Sequence, residues 1–435
     1  MNKRTLGWVA LMAALSLSPL AHARPDTTAP PADLKQLRQE VQMLKQRLQV
    51  VEQQLQQATA TSKQASVDSK EAREEAERAR TATAAIAAPE NPDIKFRLSG
   101  TVVANYTATD SKMMHDTFTG GSFMPIFLVR YKNLMELEAH MEVSNNGNET
   151  ETSLEYAQLD LFLNDWSTLV AGKFLSPIGQ FQQAQHPPWI NKLPDRPAGF
   201  VEGGGGEPLS TVGVQLTGAF PVGHATADYA VFVGNGPQMT DEGLTLEGFS
   251  QDNNANKSVG ARIGLRPWVG VNMGLSAMHA QVPTNVDGWT GAGTSAAYDL
   301  VDADFAWTPD NGEIRGEYIH SRLDPVFFDD GTGAAPFLTQ RSRWNMWYLQ
   351  GAYRLGALLG GDNPYLRNVE LIVRRSHRQV DGGTEDWRFD NENRWTLGVD
   401  YWFGPTLVGK LAYERKTFQV RPDDNVIRAQ LALGF

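Results

Sequence analysis

The chain has 435 residues, no cysteine and a formal net charge of -11. Without cysteine there is no disulfide framework and no thiolate metal site, and the acidic balance gives no reason to expect a nucleic-acid partner. The mean hydropathy of -0.37 is low, yet it leaves a transmembrane barrel open, because a barrel hides its apolar residues by alternation.

Residues 1–23 have the pattern of a signal peptide. Lys3 and Arg4 give a positive start, Leu6 to Leu17 an apolar centre, and Ala21-His22-Ala23 a small-x-small cleavage site. The centre is too short to span a bilayer, and no lipidation cysteine follows. Removing this segment takes away the two cations Lys3 and Arg4 and moves the charge from -11 to -13.

Residues 24–92 are predicted to form a periplasmic coiled coil and linker. Leu34, Leu37, Val41, Leu44, Leu48, Val51 and Leu55 alternate spacings of three and four, the seam of a left-handed coiled coil. Arg38, Glu40, Lys45, Arg47 and Glu52 flank it, and Ala58, Ala65, Ala72, Ala76 and Ala79 extend the register. Pro30 and Pro31 bound it upstream, Pro89 and Pro92 downstream. A coiled coil needs partner chains, so an oligomer is expected, with two or three strands both open.

From Ile94 the apolar period changes to two, the period of a strand. Ile94, Phe96 and Leu98 alternate with Lys95, Arg97 and Ser99; Met135, Leu137, Ala139, Met141 and Val143 alternate with Glu136, Glu138, His140 and Glu142. Val259, Ala261, Ile263 and Leu265 alternate with Gly260, Arg262, Gly264 and Arg266. Short connections are predicted at residues 132–133, 164–165, 221–223, 267–270, 309–312, 361–364 and 404–405. Long polar ones are predicted at residues 107–121, 144–152, 175–209, 235–257, 282–296, 322–341, 377–393 and 417–424. Eight long and seven short connections in alternation join sixteen strands, the organisation of an outer-membrane barrel. The stretch from Phe123 to Arg130 is the weakest strand because it holds Pro125, so eighteen strands remain an alternative count. Tyr131, Trp166, Phe220, Trp268, Trp307 and Phe403 beside short turns suggest one aromatic girdle.

The chain closes on residues 426–435. Ile427, Ala429, Leu431, Leu433 and Phe435 face one way, and Arg428, Gln430, Ala432 and Gly434 the other. Free in water, so apolar an edge would aggregate; as the closing stave of a barrel it meets lipid and a partner strand. The predicted fold is thus all-β: a sixteen-stranded antiparallel transmembrane β-barrel over residues 93–435, with the helical coiled coil as its prefix.

With these features the chain looks like a trimeric general or anion-selective porin. Ala171-Gly172-Lys173-Phe174-Leu175-Ser176-Pro177-Ile178-Gly179, followed by Pro188-Trp189-Ile190-Asn191-Lys192-Leu193-Pro194, is similar to the phosphate-selective porin O and P family. The coiled-coil prefix resembles that of dicarboxylate porins of the same superfamily. The resemblance implies an outer-membrane channel for small hydrophilic solutes, small anions such as phosphate or carboxylates among them, assembled as a homotrimer. It further implies that Phe435 is read by the barrel-insertion machinery, and that the long third loop folds inward to narrow the pore. Lys192, Asp195 and Arg196, with Glu202, are then the constriction charges. An outward lid over the barrel mouth is the alternative place for that loop.

Alternation puts Arg97, Glu138, Arg262, Arg266, Arg315, Arg374, Lys410 and Arg428 on polar faces, the candidate pore lining. The acidic net charge conflicts with an anion pore unless much of the acid lies in loops. Catalytic readings find little. Gly203 to Gly206 lack the Lys-Ser/Thr of a phosphate loop, and the histidines show no HExxH spacing. No cofactor, metal or enzymatic activity is expected. The alternatives are a tether that links barrel to cell wall through the coil, and an outer-membrane hydrolase.

Overall fold

The computed structural model describes residues 93–435 apart from residues 113, 147–148, 201–205, 207, 242, 247–253, 358–362, 364 and 383–389. The predicted signal peptide and coiled coil lie outside the described residues. Sixteen strands form one closed antiparallel barrel. The first four are β1 (Ile94–Thr109), β2 (Thr117–Tyr131), β3 (Met135–Asn146) and β4 (Glu149–Asn164). Next come β5 (Ser167–Leu175), β6 (Ser210–Val222), β7 (Ala225–Gly234) and β8 (Ser258–Arg266). Then β9 (Val271–Pro283), β10 (Ser295–Trp307), β11 (Gly312–Leu323) and β12 (Ser342–Arg354) follow. The last four are β13 (Val369–Asp381), β14 (Glu392–Trp402), β15 (Leu407–Phe418) and β16 (Asp424–Gly434).

Each strand pairs with its neighbour in the chain, and β1 pairs with β16, so no edge is left free. At the seam the Gly100 and Phe435 backbones exchange N–H···O bonds of 3.0 Å, and Ser99 Oγ donates to the Phe435 carbonyl at 2.7 Å. The outward face carries exposed Phe96, Ile263, Leu275, Leu397, Leu411 and Leu431, a belt that suits hydrocarbon and not water. Trp166, Phe220, Trp268, Trp307 and Phe403 stand exposed beside the short turns as expected.

The stretch with Pro125 is a full stave. Pro125 lies opposite Gly100 of β1, and Met124 and Pro125 take no partner in β3, where a missing N–H costs no ladder bond. The connections differ from the sequence reading at several places. The first two long ones shrink to residues 110–116 and 147–148, because β1 to β4 run on past the expected ends. The short connection expected at residues 361–364 spans residues 355–368 and contains two 3-10 turns, Leu355–Ala357 and Leu366–Asn368.

Towards the long-loop end the alternation of β9 to β12 keeps its period but reverses its sense. Met278, Ala280, Val282, Tyr298, Leu300, Ile319, Trp344 and Met346 point inward and are buried. Outward at that level His279 Nδ1 lies 2.7 Å from Asp299, which also accepts from Arg322 at 2.6 Å. Those strand ends have left the apolar belt, so their outer face is polar. Their apolar inner face is covered by Phe181, Phe200, Leu244, Leu246, Val326 and Phe328 from three of the long loops. Two small hairpins carry some of that cover, Gln238–Thr240 with Gly243–Thr245 and Phe327–Phe328 with Phe337–Leu338.

Candidate functional site

The described residues of the third long loop from 176 to 200 lie inside the barrel, and backbone polar groups fix them there. The Gly179 N–H donates to Ser276 Oγ of β9 at 3.2 Å. The Gln180 and Phe181 N–H groups both donate to Glu317 Oε2 of β11, at 3.2 and 2.9 Å. A helical turn, Phe181–Gln185, follows, and Phe181 packs edge-on against Phe200 and Tyr348. At the far wall Lys410 Nζ of β15 donates to the Pro188 and Asn191 carbonyls, and Arg374 Nη2 of β13 donates to the Asp195 carbonyl at 2.6 Å. The Ala198 N–H donates to Ser376 Oγ at 3.1 Å, which begins the return. The loop is therefore no outward lid.

Two glycines of the wall leave room for it. A Cβ on Gly434 would come within 2.7 Å of the Trp189 indole, and one on Gly398 within 2.4 Å of a Leu193 methyl. Trp189 thereby joins Val103, Met124, Val408 and Ala432, while Leu193 joins Ala352, Ile372 and Ala412.

Asp195 is the electrostatic centre of the wall contact. Its Oδ2 accepts from Arg394 Nη1 at 2.7 Å and Arg428 Nη2 at 3.2 Å, and lies 3.7 Å from Lys416 Nζ. Burial on its own would raise this carboxyl; Arg394, Arg428, Lys416 and Arg374 outweigh it and hold the group well below the usual carboxylate range. The cations are balanced further by Glu392, 2.6 Å from Arg394, and Glu414, 3.2 Å from Lys416 and 3.3 Å from Arg428.

The residues singled out from sequence fall into three groups. Lys192, Asp195 and Arg196 all sit on the inward loop. Lys192 Nζ pairs with Glu370 Oε1 at 2.7 Å, and Arg196 Nη2 donates to His186 Nδ1 at 3.3 Å. Burial first, then the charge of Arg196 and the nearby His140, push the His186 ring down to about 3, so it is neutral and able to accept that bond. A second group faces inward but is covered. Arg262 is buried on Asp304 and Ser276, Arg315 on Glu313 at 2.7 Å, and Arg374 and Lys410 lie under the loop. Arg428 is half-covered beside Asp195. Arg97, Arg266 and Glu138 form the third group, open to water. Arg97 lines a mouth cavity at the short-turn end of β1 to β3 with Lys95, Arg130, Lys132, Asp93 and Glu136. Arg266 is exposed at the end of β8, 3.5 Å from Asp228. Glu138 lines a second cavity, of about 420 Å³, between β3–β7 and the loop residues Gln182, Gln183 and His186.

Sequence reasoning missed Arg394 and Lys416, which stand next to segments read as loops, and the neutral residues Tyr156, Gln215, His140 and His186 of the second cavity. The period-2 polar face of Glu392, Arg394 and Thr396 was the available signal for Arg394.

No family model matches this chain, and no curated protein sequence does. Solved structures do share its fold. OmpT of Vibrio cholerae, an outer-membrane protein in its trimer form, is 11% identical with a TM-score of 0.51 over 79% of this chain and 99% of its own. The anion-selective porin of Comamonas acidovorans is 10% identical, TM-score 0.51, over 79% and 100%. The outer-membrane channel DcaP of Acinetobacter baumannii is 12% identical, TM-score 0.51, over 80% and 99%. At such identities the likeness is one of fold: the closed sixteen-stranded barrel of this chain is that of outer-membrane porins and channels, and no family model carries the narrower phosphate-selective O and P likeness.

Proposed function

We propose that this chain is an outer-membrane porin, a channel that lets small hydrophilic solutes cross passively. The observation that carries the reading is the inward third loop. It is tied by carboxylates, carbonyls and apolar side chains to the wall of a lipid-suited barrel, and it leaves a polar cavity on its other side. A barrel serving as a tether has no need of an internal loop ordered by so many wall contacts. The short-turn end faces the periplasm in this reading, and the N-terminal coil lies there. Outer-membrane lipid surrounds the apolar belt. Phe435, at the seam, is the residue the insertion machinery reads.

The finer expectation of small anions such as phosphate or carboxylates rests on resemblance. It requires unpaired cations along the path. Arg262, Arg315, Lys192, Arg394 and Arg428 are each paired with a carboxylate, and the second cavity presents Glu138 and Asp160. Paired in this way those five cations give little anion preference, while at the short-turn mouth Lys95, Arg97, Arg130 and Lys132 outnumber Asp93 and Glu136 and support it. A homotrimer is the proposed assembly, supported by the trimer form of the Vibrio cholerae neighbour and by the strict heptad seam.

Planar-bilayer recording tests the function. Folded protein is expected to add discrete, ohmic conductance steps. Bilayers that stay silent with protein shown to be folded and inserted overturn the porin reading.

A further inference from the structure

The second cavity has a composition unlike the rest of the lumen. Among the described residues no lysine or arginine lines it. Two carboxylates do, Glu138 from β3 and Asp160 from β4. Tyr156 donates to Glu138 Oε1 at 2.6 Å and Gln158 to Asp160 Oδ1 at 2.9 Å. The second oxygen of each has no donor among the described residues. Arg196 reaches His186 Nδ1 but does not itself line the cavity.

A second observation is independent of the acids. Gln215, 92% buried on β6, lines the same cavity, and its Oε1 has no hydrogen-bond partner among the described residues. A buried amide oxygen without a donor is costly, so the position calls for a donor from a bound molecule. His140, 97% buried on β3, is in the same condition at Nδ1. The remaining lining mixes polar side chains such as Gln182, Gln183 and Thr217 with apolar ones, Val170 and Phe174 among them. The volume lies within the range of small-molecule sites.

We infer that this cavity binds a small primary-amine cation, its ammonium held by Glu138 and Asp160 with Gln215 as a further acceptor, and its methylenes on Val170 and Phe174. The chemistry selects the class. Carboxylate and amide oxygens accept the N–H bonds an ammonium carries, whereas an anion meets two like charges and no cation. A bare metal ion fits poorly, since among the described residues no three His, Asp or Glu gather at metal-binding range. Partial enclosure by the third loop reduces screening, so each carboxylate acts more strongly than on an open surface. The inference rests on the channel reading for its meaning in transport, but binding itself does not require conductance.

Calorimetry on the full-length protein in detergent at low salt tests it, with 1,4-diaminobutane as the probe. Succinate, a dianion of the same backbone length, and 1,4-butanediol, its neutral counterpart, are the controls. The diamine is expected to bind, and both controls to bind at least about tenfold more weakly. Glu138→Gln with Asp160→Asn should weaken the diamine about tenfold or more, and Gln215→Leu a few-fold. Retained heat-modifiable mobility on gels shows that each variant is folded. Equal binding of succinate or butanediol, diamine binding unchanged in the double variant, or no diamine binding to wild type overturns the inference. Bilayer recording separates the two readings. Silent bilayers with the diamine still bound in calorimetry remove the channel and leave the site. Normal conductance without diamine binding removes the site and leaves the channel.

Discussion

Asp195 and Arg394, 199 residues apart in sequence, meet at 2.7 Å against the inner wall of the barrel. One is on a loop, the other on the β14 wall, and both are largely removed from water. A carboxylate so placed is tolerable only because four cations surround it, and those cations are tolerable only because of it and of Glu392 and Glu414. The pair is a latch between loop and wall.

Asp195→Asn should therefore release the third loop while the barrel stays closed. Removing one partner of a buried pair costs about 3–5 kcal/mol, here drawn from loop docking. Proteolysis within residues 176–209 should become much faster, and single-channel conductance should rise and become noisier. Wild-type protection and conductance in this variant would show that the carbonyl and apolar contacts of the loop suffice without the latch.

The latch has a defined acid response. The native carboxyl titrates below its ordinary value of 3.8, so its stabilisation is complete above that value and is lost only as pH falls through the lower native value. Loop protection should be flat from pH 7 to about 4. Loss of protection near pH 5 would point to another group.

Lys192 invites a charge reversal, but its pairing with Glu370 changes what reversal does. Lys192→Glu sets one carboxylate against another at a site that is nearly dry on the Glu370 side. The expected result is a displaced loop, read as altered conductance and faster proteolysis, beyond any shift in the anion-to-cation permeability ratio. Lys192→Glu combined with Glu370→Lys should restore protection. If the single variant shifts the reversal potential alone, Lys192 acts on passing ions and not as an anchor.

The wall glycines give a steric test. Gly434→Val would press on the Trp189 ring, which already lies within 2.7 Å of a Cβ there, and should undock that part of the loop. Gly404→Ala, in a turn with nothing within 4 Å of a Cβ, should change neither loop nor barrel. Tryptophan fluorescence reports the difference, since only the first variant should move a partly buried indole towards water. An unchanged spectrum in Gly434→Val would mean the strand gives way instead.

The strands were legible because alternation is a local property, written every second residue from Ile94 to Phe435. Sidedness was legible for the same reason: Arg262, Arg374 and Lys410 do point inward. What lies inside was not legible. Whether an inward arginine meets water or a loop depends on residues nearly 200 positions away, and no periodicity encodes that pairing. Leu244, Leu246, Val326 and Phe328 were apolar signals inside segments read as polar loops, and they mark where those loops turn inward. The extra length of β1 to β4 was hidden because strand ends beyond a membrane carry polar residues on both faces, and so look like loop.

The chain terminus gives the last test. Phe435 contributes two separable things. Its backbone closes the seam through the paired bonds to Gly100 and accepts from Ser99, which any residue can do. Its ring lies outward at the seam, with its centroid 6.0 Å from that of Phe123 and the planes nearly parallel. Phe435→Ala keeps the backbone and removes the ring. In detergent refolding this variant should still close, with a modest loss of stability from one exposed ring contact. In cells it should reach the outer membrane poorly, because the terminal aromatic is the proposed handle for insertion. Deleting Phe435 altogether removes the seam bonds as well, and should impair refolding in detergent too. Heat-modifiable gel mobility of refolded and of membrane-extracted protein measures both arms. Equal defects of Phe435→Ala in the two settings would place the role of the ring in packing alone, and normal membrane yield would remove Phe435 as the insertion signal.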